Sequence, residues 1–152
     1  MKVTIDHIGI AVADIASALA FYRDALGLEV APPEEVASQR VRAHFIRLGD
    51  TAGRGEEPAA RPDRAAGAAG ASIELLEATS DDSAIARYVS KRGPGIHHIT
   101  LRVDDIRAAL AQLKSRGVRL IDEAPRAGAH GAQVAFVHPS STHGVLVELK
   151  QG

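Results

Sequence analysis

The chain has no cysteine and no tryptophan, only three Phe and two Tyr, and a net charge of −1 at pH 7. Without cysteine there are no disulfides, no thiolate metal sites and no thiol nucleophile. Near-neutral charge leaves no footprint for nucleic acid or for an anionic membrane. No apolar run approaches the about 20 residues that a membrane-spanning helix needs. Met1-Lys2-Val3-Thr4 passes straight into a strand pattern with no charged-then-apolar leader. The expected setting is therefore soluble and cytoplasmic. So few aromatics imply an aliphatic, alanine-rich core, and 152 residues allow one compact domain or two very small ones.

What the chain does have is a repeat. Ile5-Asp6-His7-Ile8-Gly9-Ile10-Ala11-Val12 returns ninety-one positions later as Ile96-His97-His98-Ile99-Thr100-Leu101-Arg102-Val103. Ile5/Ile96, His7/His98, Ile8/Ile99 and Val12/Val103 are identical, and identities continue through Asp14/Asp105, Ile15/Ile106, Ala18/Ala109, Leu19/Leu110 and Ala20/Ala111. Two copies of one module are expected. The first spans 1–78 with a flexible Gly/Ala/Pro/Arg-rich insertion at about 51–70. A short helix and linker follow at 79–95, and the second module spans 96–152.

Each module opens with a strand of period two. Ile8, Ile10 and Val12 share one face and His7, Gly9 and Ala11 the other. A helix capped by Asp14 should cover the aliphatic face, with Ile15, Ala18, Leu19, Tyr22 and Leu26 at helical spacing and Gly27 as its stop. Strands are then expected at Leu28–Val30, 39–48 and Ser72–Glu77. In the first of these last two, Val41, Ala43 and Phe45 alternate with Arg42, His44 and Ile46. Ser80-Asp81-Asp82 should cap a short helix bearing Ile85, Tyr88 and Val89, and Gly93-Pro94-Gly95 should link the modules. The second module repeats the order: a strand over 96–103, an Asp105-capped helix ending near Gly117, and strands at 118–121, 132–138 and 145–150.

The faces carry the chemical content. His7 and His98 point away from the residues that pack under the helices. So do Glu74, opposite Ile73 and Leu75, and Glu148, opposite Val147 and Leu149. A pseudo-twofold relation between modules would gather all four in one cleft, where two imidazoles and two carboxylates suit an octahedral Mn, Co, Ni or Zn ion. A lone His or Glu on a strand face is most often merely solvated; duplication raises these four above that reading. His97 falls on the helix side by alternation and is the poorer ligand of its pair. His44, His130, His138 and His143 read as surface or outer-shell groups.

Asp6-His7-Ile8-Gly9-Ile10-Ala11-Val12, Phe21-Tyr22 and Leu26-Gly27 together resemble the opening of the vicinal oxygen chelate superfamily. Gly95-Ile96-His97-His98-Ile99, Gly128-Ala129-His130-Gly131, Phe136-Val137-His138-Pro139 and His143-Gly144-Val145-Leu146-Val147-Glu148-Leu149 resemble, more particularly, its methylmalonyl-CoA epimerase family. The resemblance covers the chain apart from about 51–70. It implies an α+β fold in which two pseudo-twofold-related βαβββ modules form a cupped mixed β-sheet around a divalent ion, glyoxalase/bleomycin-resistance-like, in a homodimer. Also implied are the metal ligands His7, Glu74, His98 and Glu148, Co2+ foremost with Mn2+, Ni2+ or Zn2+ as alternatives, and interconversion of the (2R) and (2S) forms of methylmalonyl-CoA, an acyl-CoA substrate.

Two positions depart from that family. Ala43 stands where some members carry a catalytic glutamate, and Ser140 where a lysine frequently follows the His-Pro. With Ala43 unable to move a proton, Glu74 and Glu148 are the expected acid/base pair. Three rivals stay open: a glyoxalase I-like metal-dependent lyase or isomerase, a metal-free binding protein on the same scaffold, and, last, an iron dioxygenase using two His and one Glu.

Overall fold

Strand β1, Val3–Val12, buries His7, Gly9 and Ala11 on one face and sets Ile8 and Ile10 on the other, as the period of two requires. The computed structural model describes residues 1–48 and 70–152, so the insertion expected at about 51–70 lies, but for Gly70, outside the described residues. Helix α1, Ile15–Leu19, follows β1 with Asp14 as its N-cap, the carboxylate accepting from Ser17 N at 2.9 Å. It widens into a π-type turn over Ala20–Ala25, where Leu26 N donates to Phe21 O, and Gly27 leaves it at φ +69°. Ile15, Ala18, Leu19 and Tyr22 pack on Val12, Ile46 and Leu75.

Strands β2 (Glu34–Val36), β3 (Val41–Arg47) and β4 (Ser72–Ala78) complete the first half. Helix α2, Ala84–Arg92, leads to β5, Gly95–Val103, and α3, Ile106–Ser115, to β6 (Arg126–Ala127), β7 (Gln133–Val137) and β8 (Val147–Gln151). The sheet runs β2-β3-β4-β1-β5-β8-β7-β6. β1 is parallel to β4 and β5 to β8, while β1 and β5 pair antiparallel at the centre. Reading outward from that central pair gives the same order twice, and the α+β expectation of two βαβββ halves in one mixed sheet is borne out.

The sheet is also curled. β2 and β6 are its two ends, yet Glu34 Oε2 on β2 lies 2.7 Å from Nε2 of His130, three residues beyond β6. Such a contact requires the eight strands to bend into a cup. The helices α1 and α3 cover its convex face; α3 seats fully buried Ile106 and Ala109 on Val103, Ala135, Val137 and Leu149. The burial of each of the larger of these, Ile106, Val103, Val137 and Leu149, contributes about 1.5–3 kcal/mol. Among the described residues no helix is long and apolar enough to cross a membrane.

Three local expectations are corrected. Leu28–Val30 and 118–121 are not strands: each makes one bridge, Val30 to Ile46 and Leu120 to Val137. Leu28, Val30, Val118 and Leu120 instead pack into the helix–sheet seams, and β2 begins only after Pro32-Pro33. The cap of α2 is Ser83, whose Oγ accepts from Ala86 N at 3.0 Å, rather than Ser80-Asp81-Asp82. Ser80 and Asp82 bond one another, and Asp82 pairs with Arg40.

Candidate metal centre

Two rows of side chains cross the concave face. Strand register aligns Phe45, Glu74, Gly9 and His98 in one row, because Phe45 opposes Glu74, Glu74 opposes Gly9, and Gly9 opposes His98. The other row is His7, Thr100, Glu148 and Phe136. His7, Glu74, His98 and Glu148 are all buried.

Three of the four meet closely. His7 Nε2 lies 3.2 Å from Glu74 Oε2, His98 Nε2 lies 3.4 Å from the same oxygen, and the two imidazole nitrogens are 3.3 Å apart. Ligand bonds of about 2.0–2.2 Å to a shared divalent ion put neighbouring donors roughly 3.0–3.4 Å apart, so this triangle has the size such an ion needs. The donor set, two imidazole nitrogens and a carboxylate oxygen, suits a first-row divalent ion such as Co2+, Mn2+, Ni2+ or Zn2+. Glu148 contributes no oxygen to the triangle. It lines the same cavity, with Oε1 accepting from Thr100 Oγ1 at 3.2 Å, and that hydroxyl lies 2.9 Å from His7 Nε2.

Electrostatics separate the two glutamates. Burial works against the Glu74 charge, but hydrogen bonds and the charges of His7 and His98 outweigh it and hold the carboxyl at about 2. Burial pushes Glu148 up, with Glu74 adding repulsion and the two histidines opposing. Burial disfavours the imidazolium of His7, yet hydrogen bonds to Asp6 and Glu74, with the charges of Glu74 and Glu148, raise it to about 9. Without an ion His7 therefore carries two protons at pH 7.5, and a divalent ion at Nε2 must expel one. Calorimetry of metal loading in buffers of different ionisation enthalpy should read about one proton released per ion, and affinity should rise about tenfold per pH unit from 7 towards 9. Loading without proton release would mean that His7 is already neutral at Nε2 before the ion arrives.

The remaining histidines divide. His44 is buried, not at the surface as its pattern suggested: it stands mid-strand in β3 opposite Leu75, with Nδ1 unpartnered. Burial and the neighbouring Arg42 depress its pKa, and it reaches no cluster residue. His138 turns its ring back on Ser140, and His143 stands in a turn at φ +56°. His130, also left-handed at φ +54°, pairs with Glu34 and packs on Phe45, whose ring edges against His7. His97 does touch the centre: its Nδ1 lies 3.1 Å from Nδ1 of His98.

Sequence reasoning missed the partners of Asp6. This carboxylate lies 2.8 Å from His7 Nδ1 and accepts from Arg102 Nε at 2.8 Å and Lys150 Nζ at 2.9 Å. Burial opposes its charge, but these three partners keep it well below the usual carboxylate range. The signal available was the repeat itself, which places Asp6 and His97 at equivalent positions before each ligand-type histidine.

The pattern of the Glyoxalase/Bleomycin resistance protein/Dioxygenase superfamily matches residues 6–136. Mitochondrial methylmalonyl-CoA epimerase of Bos taurus is 36% identical over 148 residues, covering 97% of this chain and 73% of the relative. An ethylmalonyl-CoA/methylmalonyl-CoA epimerase of Cereibacter sphaeroides is 38% identical over 149 residues, covering 97% of this chain and 96% of the relative. A solved methylmalonyl-CoA epimerase in complex with methylmalonyl-CoA and NH4+ is 34% identical with a TM-score of 0.83, covering 100% of this chain and 96% of that one.

Proposed function

This chain belongs to the Glyoxalase/Bleomycin resistance protein/Dioxygenase superfamily, and from that premise we propose that it is a methylmalonyl-CoA epimerase. The carrying observation is that epimerases resemble it over 97% of its length. The convergence of His7, Glu74 and His98 inside the cup supports the same reading. Three further elements belong to this proposal: a resident divalent ion, Co2+ first, held by these three side chains with Glu148 as fourth ligand; a homodimer; and a cytoplasmic setting.

Epimerisation takes a proton from the carbon between thioester and carboxylate and returns one to the opposite face. A divalent ion at the centre supplies Lewis-acid stabilisation of the charge that develops on the substrate oxygens, worth several kcal/mol. Glu148 is the proposed proton acceptor on one side, since burial already raises its affinity for a proton. Glu74, on the strand beside β1, is the proposed partner on the other side. Phe45 edges against His7, and Phe136 against His98, so apolar surface excludes water from both flanks of the triangle.

The test is proton NMR of the α-carbon of methylmalonyl-CoA in deuterium oxide. Stripped protein should exchange that proton negligibly, and protein reconstituted with Co2+ should exchange it from both epimers. Turnover of the glutathione–methylglyoxal hemithioacetal with an inert methylmalonyl-CoA would move the reading to a glyoxalase I-like reaction. No bound ion and no turnover of either would leave a binding protein on the same scaffold.

A further inference from the structure

We propose that Asp6 and His97 are positioning residues that fix the tautomers of His7 and His98, so that each Nε2 presents a lone pair to the centre. The inference rests on reading His7, Glu74 and His98 as metal ligands.

Backbone irregularity is what brings them there. Along the β1/β5 pair, Ile5 opposes Leu101 but His7 opposes Thr100, so Asp6 is an extra residue on β1. Gly9 opposes His98 but Ile10 opposes Ile96, so His97 is an extra residue on β5. Two bulges thus stand at equivalent places in the two copies, each one residue before a ligand-type histidine. A bulge breaks the strict alternation that would send such a residue to the opposite face and re-aims its side chain. The result is the same contact twice: Asp6 Oδ1 is 2.8 Å from His7 Nδ1, and His97 Nδ1 is 3.1 Å from His98 Nδ1.

An imidazole whose Nδ1–H is held by an acceptor has its Nε2 lone pair free. Asp6 is such an acceptor, kept ionised by Arg102 and Lys150. His97 instead faces His98 with an imidazole nitrogen, from a ring that also packs edge-on against Tyr88, at 5.0 Å between centroids. The two halves therefore orient equivalent ligands with different chemistry. A carboxylate increases electron donation at His7, and a neutral imidazole leaves His98 the weaker donor.

Metal affinity of the full chain, measured by chelator competition with Co2+, tests this independently of turnover. Asp6→Ala and His97→Phe should each weaken binding by about 10–100-fold, the carboxylate loss more than the imidazole loss. Asp6→Asn and His97→Gln, which keep an acceptor oxygen, should recover part of it. Long-range 15N–1H spectra of the loaded wild type should show both ligand rings protonated at Nδ1. His97→Phe breaks no ion pair, so it keeps the test decisive if Asp6→Ala does not fold. Wild type that binds Co2+ alongside variants that bind it within twofold would overturn the positioning role alone. Wild type that binds no divalent ion would overturn the metal reading, and this inference with it.

Discussion

Glu148→Gln should lower α-proton exchange from methylmalonyl-CoA by about 10²–10⁴-fold, the range that a positioned general base supplies, while the protein still binds its ion. The two halves of this expectation come from different atoms. Retention of the ion follows from the triangle of His7, Glu74 and His98, whose donors already lie within 3.4 Å of each other without an oxygen from Glu148. Loss of exchange follows from the amide, which is isosteric and can still accept from Thr100 Oγ1 but cannot take up a proton. Glu74→Gln should behave differently. Its carboxylate is held by two imidazoles, so the change should weaken metal binding and also depress deuterium incorporation from one epimer more than from the other. Deuterium incorporation followed from each epimer separately, with metal content measured on the same samples, distinguishes the two. Undiminished exchange from both epimers in Glu148→Gln would end its assignment as a proton carrier.

Why these four residues were legible at all is a matter of periodicity. Alternation sorts a strand's side chains without knowledge of its neighbours, so His7, Glu74, His98 and Glu148 could be set opposite the aliphatic residues from local pattern alone. Duplication then supplied the long-range expectation that corresponding residues of related modules meet on the axis between them; His7, Glu74 and His98 do meet, while Glu148 lines the same cavity outside their triangle. The same rule rightly ranked His97 below His98 as a ligand but did not foresee that the two rings touch, since a bulge suspends alternation and nothing in Gly95-Ile96-His97-His98 announces one. It missed Asp6 for the same reason. The Glu34–His130 pair was out of reach for another. It joins opposite ends of the strand order, and only the accumulated curl of eight strands brings those ends together. The apolar Leu28–Val30 and Val118–Leu120 read as strands because short apolar runs look alike whether they pair or merely plug a seam.

Gly9→Ala should empty the centre without touching a ligand. Gly9 lies between Glu74 on one neighbouring strand and His98 on the other, and all three share the concave face. A Cβ at position 9 would fall 2.2 Å from His98 Cε1, 2.5 Å from Nδ1 and 2.8 Å from Nε2, so the ring occupies the space that a side chain would take. Relief cannot come from the β1 backbone, which is paired on both sides to β4 and β5. The ring itself is bracketed by His97 and Phe136, with centroids at 5.4 and 6.1 Å. It must therefore turn out of the triangle, taking Nε2 away from Glu74 and His7. Overpacking of this kind costs about 1–3 kcal/mol of stability, enough to lower the melting temperature but not to abolish folding. Losing a ligand outright should weaken Co2+ binding by at least the about 100-fold that marks the upper end of outer-shell effects, and α-proton exchange should fall with it. Gly95→Ala is the matched control, because a Cβ there meets only Tyr88 Oη at an ordinary 3.7 Å. Its metal affinity should stay within about twofold of wild type, and a Gly9→Ala protein that also retains full Co2+ affinity would mean that His98 does not need this space to reach the centre.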